Sequence, residues 1–355
     1  MSWHIMAHRK KLHLFLLKIT FLISFIINCQ SIAMDTNLKE HNDPSLFRLI
    51  TEDGREIYIL GSPHLVPLEM LLSPITIKEL ATLAEKHAIL YTEHEIANII
   101  PLEYFNNHEN LNSSAIPYGA LGISLEVFNK IKSIQIYLNL THEGIPQNSN
   151  VSIEQLLYAH SWLLANILGT HAGILSYHKF GGADYALLYD PIWKEKWGDI
   201  RYLETSPDVI KIIKKHHQNT SDTNMESVRK STTTIVNFIT LKEFENEPEF
   251  KEMLENGLTE ELKSMSKRYS WQAIEFGNRS KIPESAIERS KHWAEVIKIE
   301  VNGNKEDLRP ILIVVGNAHL AGFYKKFSFL SFLLEKIGIY QILRLTNEGK
   351  WVNIS

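Results

Sequence analysis

The pattern of hydrophobic and polar residues changes along the chain between continuous apolar runs, helical periodicity and polar stretches. Two apolar runs are its clearest feature. One run, residues 57–61, stops at Gly61 and is followed by His64, and the other, Ile311–Gly316, is followed by His319. Continuous β-branched runs of this length are typical of buried parallel strands. Glycine permits a sharp exit, so each histidine is expected beyond the carboxyl end of its strand, where open α/β sheets bind ligands.

The pattern around the first run predicts a hairpin and then a β-α-β unit. Residues 47–50 and 56–60 flank an Asp-Gly turn, which is typical of a β-hairpin. Residues 77–87 have helical periodicity, and residues 88–92 return as a short strand. We therefore expect the first motif strand and the strand at 88–92 to be parallel neighbours joined by a right-handed crossover.

The middle of the chain has a helical pattern, and strands return after it. Residues 97–180 predict a mainly helical insert with helices at 121–138 and 153–174, whereas the polar stretch 219–231 predicts a loop. Helices are also predicted to start near Asp184 and at Ser206, with a strand at 199–203 between them. Together these elements predict an α/β fold, in which a mixed, partly parallel sheet has two motif-bearing halves and a helical insert.

The first 33 residues have the pattern of a signal peptide. A basic start precedes an apolar core that is broken by Lys18, and small residues follow up to Ala33. The apolar core is short for a spanning helix, which needs about 20 apolar residues. We expect residues 34–355 to form the exported domain, periplasmic or secreted in a bacterium, with membrane attachment only through an uncleaved leader.

Composition narrows the chemistry of the mature domain. Cys29 is the single cysteine and lies in the leader, so a disulfide, a thiolate nucleophile and a cysteine zinc site are excluded from residues 34–355. Removal of the leader takes away four of the 37 basic residues and none of the 41 acidic ones, which leaves a net charge of 33 − 41 = −8. An acidic chain without a basic face does not indicate a nucleic-acid-binding protein.

Four side chains near predicted strand ends and one arginine on a predicted helix are the candidates for chemistry. His64 and His319 could hold a divalent metal such as Mn, Co or Zn. Glu93 and Glu95 follow the strand at 88–92 and would share one face, as a metal ligand or a general base. Arg289, on the helix before the second motif, could stabilise an oxyanion or hold a carboxylate.

Glu204, at the end of the strand at 199–203, could enter the same crevice or cap the next helix. The chain lacks the His-Glu-x-x-His, Gly-x-Ser-x-Gly, Walker and dinucleotide-glycine patterns.

Five blocks in the same order and spacing resemble the TraB/GumN family, which is related to the Tiki proteases and the plasmid pheromone-shutdown proteins. The blocks are Leu60-Gly61-Ser62-Pro63-His64, Thr92-Glu93-His94-Glu95, Gly182-Ala183-Asp184 with Leu203-Glu204-Thr205, Glu288-Arg289-Ser290, and Gly316-Asn317-Ala318-His319-Leu320-Ala321-Gly322. The resemblance implies a metal-dependent hydrolase in which His64, Glu93 and His319 hold the metal. It also implies catalytic roles for Glu93, Glu95 and Arg289, with Gly61, Gly316, Asp184 and Glu204 in supporting positions.

The chain departs from the family pattern at three positions. Ser62 replaces a threonine, Glu95 replaces an aspartate, and Ser290 replaces an asparagine after the arginine. The leading hypothesis is an exported metal-dependent hydrolase, a peptidase acting on a peptide or another small molecule. Two alternatives remain open: a non-catalytic protein that binds a peptide, haem or metal, and a metal-free esterase with histidine as the base.

Overall fold

The described part of the chain covers most of the predicted sheet and insert. The computed structural model describes residues 45–62, 73–93, 105, 107–132, 135–137, 150–180, 183–217, 221–243, 284–320, 327–346 and 348–354. His64, Glu95 and the predicted leader lie outside these residues.

A seven-stranded mixed sheet organises the described residues, and a two-stranded hairpin lies apart from it. The strands, in chain order, are β1 Leu46–Thr51, β2 Glu56–Ser62, β3 Ile89–Thr92, β4 Gln135–Tyr137, β5 Asn150–Ser152, β6 Asp199–Tyr202, β7 Ile311–Gly316, β8 Ile339–Leu345 and β9 Trp351–Asn353. The large sheet has the order β6-β3-β7-β2-β1-β8-β9, and β4 pairs with β5. The predicted α/β class and partly parallel sheet are confirmed.

The helices pack on the sheet and form most of the insert. In chain order they are α1 Pro74–Glu85, α2 Leu125–Ile131, α3 Ile153–Leu156, α4 Ser161–Phe180, α5 Ala183–Tyr189, α6 Pro191–Lys194, α7 Ser206–His217, α8 Ser221–Glu243, α9 Glu284–Gly303, α10 Asn317–Leu320 and α11 Phe329–Lys336. Short 3-10 turns occupy His108–Asn110 and Tyr118–Leu121. Among the described helices, none is long and apolar enough to cross a membrane.

Four adjacent strands of the sheet are parallel: β6, β3, β7 and β2. Their register places Ser62 beside Gly316, and Thr92 beside both Val314 and Tyr202. The prediction that β2 and β3 are neighbours is therefore wrong, because β7 lies between them. The residues of β2, β3 and β7 are almost all buried, so the three strands have the same apolar pattern. This pattern identifies a buried strand but not its place in the sheet.

The two faces of the sheet are covered by different helices. Alternate strand residues such as Tyr91 and Ile313 pack with Trp293 of α9 and Phe329 of α11. The other face, including Leu90, packs with α1, α5 and α6. Because side chains alternate along a strand, each strand supplies apolar residues to both layers. Helix α9 therefore lies on the face to which Tyr91 points.

The insert differs from the two long helices that its sequence predicts. The predicted helix at 121–138 is interrupted, because Gly122 adopts a left-handed conformation (φ 77°) and Ser124 caps a new start at α2. Its end is the strand β4, which pairs antiparallel with β5. The predicted helix at 153–174 is split into α3 and α4, where Ala159 forms a bridge to Leu111.

Helix α8 replaces the loop that the sequence predicts at 219–231. Its buried positions are Asn224, Val228, Thr232 and Ile235, which recur every three or four residues and form one helix face against α4. Two members of this stripe are polar, so the apolar periodicity is weak and the segment resembles a loop. The helical layer therefore extends beyond residues 97–180 to include α8.

Candidate functional site

The carboxyl ends of the four parallel strands bring two glutamates together. Glu93 directly follows β3, and Glu204 comes two residues after β6. The parallel ladder continues beyond the strands, since the Glu204 amide donates to the Glu93 carbonyl oxygen at 3.0 Å. Both residues are buried, with 6% and 3% of their surface exposed. The backbone pairing thus places two carboxylates side by side at the edge where α/β sheets bind ligands.

Arg289 of α9 binds both carboxylates. Its Nη2 donates to Glu93 Oε2 at 2.7 Å. Its Nε donates to both oxygens of Glu204, at 2.9 and 3.1 Å, and Nη2 also contacts Glu204 Oε1. The planar guanidinium suits this two-point contact, which an ammonium group could not reproduce. Glu204 therefore lies in the crevice rather than capping α7, whose first turn is capped by Thr205 and Asp208.

The charges of this cluster depend on one another. Burial raises the pKa of the Glu204 carboxyl, and the charge and hydrogen bonds of Arg289 offset part of this effect. Burial also opposes the charge on Arg289, but Glu93 and Glu204 outweigh it and raise the pKa of the guanidinium above its usual value. When both carboxyls are ionised, the two carboxylates and the one guanidinium have a net charge of −1. A buried excess of negative charge favours a cation nearby.

Glu93 is also held by the end of the second motif strand. Its Oε1 accepts a hydrogen bond from the Gly316 backbone amide at 2.6 Å. Because Oε2 accepts from Arg289, both oxygens of the carboxylate have fixed donors. Hydrogen bonds to the charged form stabilise it. The pairing of β3 with β7, which the sequence did not predict, therefore makes Gly316 a direct contact of Glu93.

His319 lies in α10, the single helical turn that follows Gly316, and is 5% exposed. Its Nδ1 is 2.8 Å from Ser290 Oγ, and its Nε2 is 4.0 Å from Glu93 Oε1. Its ring packs on the indole of Trp293, with 4.2 Å between the ring centroids. The imidazole is thus held from two sides, and Nε2 is the nitrogen nearest the carboxylate cluster.

One helix carries three of the side chains that build the site. Arg289, Ser290 and Trp293 all lie in the first half of α9, and the Arg289 guanidinium stacks over the Trp293 ring at 4.8 Å. The sequence identified Arg289 but missed Ser290 and Trp293 as contacts of His319. The signal was present: positions 289 and 293 are one helical turn apart and therefore share a face.

Of the remaining predicted site residues, Gly61 and Asp184 lie in the described part of the chain. Gly61 is buried near the end of β2, in register with Val315. Asp184 is 6% exposed and lies in the first turn of α5, a favourable place for a carboxylate. His64 and Glu95 lie outside the described residues. Within the described residues, no group of three or more histidine, cysteine, aspartate or glutamate side chains could hold a metal ion.

Comparison of the chain with protein-family models, with curated proteins and with solved structures gave no match.

Proposed function

We propose that the protein is an exported metal-dependent hydrolase with a peptide substrate, and that its site lies at the carboxyl edge of the parallel strands. The observation that carries this proposal is the meeting of Glu93, Arg289 and His319, which come from three distant segments. All three contain groups used in hydrolysis, and they meet at the edge of the sheet where ligands bind. A structural ion pair alone would not need a histidine beside the carboxylate.

The described donors suit a divalent metal. His319 Nε2 and Glu93 Oε1 are 4.0 Å apart, and metal bonds to imidazole and carboxylate are about 2.0–2.2 Å long, so one ion could reach both. The net negative charge of the two glutamates with Arg289 favours the same ion. His64 is the proposed third ligand, since β2 ends at Ser62 beside Gly316. A bound metal would lower the pKa of a coordinated water and so supply the nucleophile.

The protein side chains have separate proposed roles. Both oxygens of Glu93 already have donors, which suits a fixed ligand better than a mobile base, so Glu95 is the stronger candidate for accepting the proton of the water. Among the described residues, Nη1 of Arg289 makes no hydrogen bond, so it can donate to a developing oxyanion. Glu204 holds the guanidinium in place for that donation.

A metal-free hydrolase is the main alternative, because Ser290, His319 and Glu93 follow one another in space in the order of a catalytic triad. Ser290 is only 1% exposed, however, so a substrate carbonyl cannot approach its hydroxyl. The separation of 4.0 Å between His319 and Glu93 also exceeds a hydrogen bond. This geometry favours His319 as a ligand over His319 as the base that activates Ser290.

A peptide-cleavage assay tests the proposal. The purified chain would be stripped of metal, reloaded separately with Mn, Co or Zn, and incubated with a mixed peptide library whose products are detected by mass spectrometry. We expect cleavage that needs one of the metals. Glu93→Gln should abolish it, because the amide keeps the shape but is a poor ligand. Glu109→Gln, at an exposed glutamate of the insert, is the matched control and should cleave like the parent.

The other outcomes are equally informative. Cleavage that persists in chelator would replace the metal mechanism with the metal-free one. Tight retention of a peptide without any product would identify a binding protein, and a strong Soret band after haem loading that His319→Ala removes would identify haem as its ligand.

A further inference from the structure

Ser290, a departure from the family pattern, lies against His319, a residue of the proposed site. Its Oγ lies 2.8 Å from His319 Nδ1, and the serine is 1% exposed. The position is fixed by the helix, since Arg289 is the preceding residue and is held by two carboxylates. Ser290 therefore cannot shift along α9 without disturbing the Arg289 contacts.

The hydrogen bond distinguishes the two nitrogens of the imidazole. A ring nitrogen that contacts a hydroxyl at 2.8 Å cannot simultaneously bind another group, so Nδ1 is occupied. Nε2 lies on the opposite side of the ring and faces Glu93 Oε1. A partner on one nitrogen sets the role of the other in most histidine sites.

Trp293 fixes the plane of the same ring. The His319 and Trp293 centroids are 4.2 Å apart with 43° between the rings, and Trp293 is fully buried. Phe329 of α11 packs edge-on against the same indole, with 5.9 Å between the ring centroids. Ring rotation of His319 would therefore require a packed aromatic cluster to move as well as a broken hydrogen bond.

We propose that Ser290 is the positioning residue of His319: its hydroxyl occupies Nδ1 and so presents Nε2 to the site. The expected effect of Ser290 on metal binding rests on the proposed function. The hydroxyl–imidazole contact itself does not, because it can be observed without any metal or substrate.

Two readouts on the full chain test this role. The first is affinity for Zn or Co, measured by competition with a chromophoric chelator. We expect Ser290→Ala to bind the metal 10- to 100-fold more weakly, which is the usual effect of removing a partner of a metal-binding histidine. Ser290→Thr keeps the hydroxyl and should recover most of that affinity. Ser285→Ala, also on α9, is the matched control and should bind like the parent.

The second readout is the nitrogen NMR spectrum of the metal-free chain labelled at histidine, with the His319 signals assigned from His319→Gln. We expect Ser290→Ala to shift the Nδ1 resonance of His319 and to leave the other histidines unchanged, whereas Ser285→Ala shifts none. A loss of packing alone would not act selectively on Nδ1.

The outcomes separate the two proposals. Weaker metal binding together with a shifted Nδ1 resonance supports the role of Ser290. An unshifted Nδ1 resonance in folded Ser290→Ala overturns it, whatever the metal affinity. If the parent binds no metal, the proposed metal function fails, and the Nδ1 resonance alone then decides whether Ser290 positions His319.

Discussion

At the residue scale, the most informative contact is that of Arg289 with two glutamates. The sequence allowed an oxyanion donor or a carboxylate partner for this arginine; the structure shows the carboxylate contacts, and the oxyanion role stays a proposal. Glu93 and Glu204 are adjacent through the backbone of neighbouring parallel strands, so their repulsion must be balanced. Arg289 supplies that balance and orders the site at the same time.

Removal of the Arg289 charge should therefore cost stability as well as activity. We expect Arg289→Met to lower the free energy of unfolding by about 3–5 kcal/mol, because it leaves two buried carboxylates without their cation. Urea denaturation measures the loss. Lys298→Met, which removes an exposed cation of α9, is the control and should have little effect. Equal stability of both variants would show that Arg289 is not needed for balance.

His171 gives the fold a defined acid sensitivity. This histidine of α4 is 2% exposed, and burial lowers its pKa to about 4 from an ordinary 6.5. Between these values the unfolded chain binds a proton that the folded chain does not, so stability is present above pH 6.5 and is lost as the pH falls toward 4. The loss amounts to about 3 kcal/mol at pH 4 and below.

Two leucine variants test the contribution of His171 to the loss of stability at low pH. His171→Leu should lose less stability than the parent between pH 6.5 and 4, and His108→Leu, at an exposed histidine, should match the parent. Urea midpoints measured across this range provide the test. Identical pH dependence in the parent and His171→Leu would contradict the shifted pKa.

At the element scale, α9 is attached to the sheet by polar contacts near both of its ends. Arg289 binds Glu93 and Glu204 near its start, and Glu300 binds Arg55, Arg201 and Tyr91 near its end. The Glu300 contacts are Arg55 Nη2 to Oε1 at 3.3 Å, the Tyr91 hydroxyl to Oε2 at 3.1 Å, and Arg201 Nη1 to Oε2. The second cluster joins α9 to the residue before β2 and to β3 and β6, and we assign it a structural role.

Glu300 should be the critical member of this second cluster. Glu300→Gln removes the carboxylate that forms an ion pair with Arg55, which is 2% exposed, and we expect a loss of ~3 kcal/mol in unfolding free energy. Glu295→Gln removes a partly exposed carboxylate of the same helix, which pairs with Lys298 and Lys336, and should have little effect on stability. Thermal and urea unfolding of both variants provide the comparison, and a neutral Glu300→Gln would show that the cluster does not hold α9.

The turn into β6 needs a glycine for space. A Cβ built on Gly198 would lie 2.2 Å from the His87 carbonyl oxygen, which precedes β3. Gly198→Ala should therefore destabilise the fold by about 1–3 kcal/mol, since the backbone of one segment must move. Gly303→Ala, where a Cβ meets nothing within 4 Å, is the matched control. Calorimetry of the two variants tests the prediction, and equal melting temperatures would contradict it.

The sequence predicted elements well where one residue type dominates a face. The strand Ile311–Gly316 has a clear apolar pattern, and the structure contains it. The sequence failed at residues 221–231, which it predicts as a loop and which belong to α8, a helix with Asn224 and Thr232 at buried positions. It also failed to find that β7 lies between β2 and β3, because strand order depends on packing between distant segments rather than on local pattern.

The positions of the candidate site residues could be predicted from local sequence pattern, but the contacts among them could not. Strand ends locate Glu93, Glu204 and His319 by local pattern. The contacts among them depend on strand order and on the docking of α9, so the Gly316 amide on Glu93 and the serine on His319 could not be predicted from one sequence.

At the scale of the whole molecule, the order of the parallel strands is what builds the site. Across β6, β3, β7 and β2, the chain delivers Glu204, Glu93, Gly316 and Ser62 to one edge of the sheet. The second motif strand lies in the centre of this set and the first lies next to it. The strands that precede the two Gly-x-x-His segments, β2 and β7, therefore end side by side.

Metal content measured by mass spectrometry on the purified chain and on His64→Ala and His319→Ala tests the central claim most directly. The account predicts a stoichiometric divalent metal in the parent that is lost in both folded variants, because each histidine contributes one ligand to a shared ion. A parent that stays metal-free after loading with Mn, Co or Zn, or a metal that both variants retain, would contradict it.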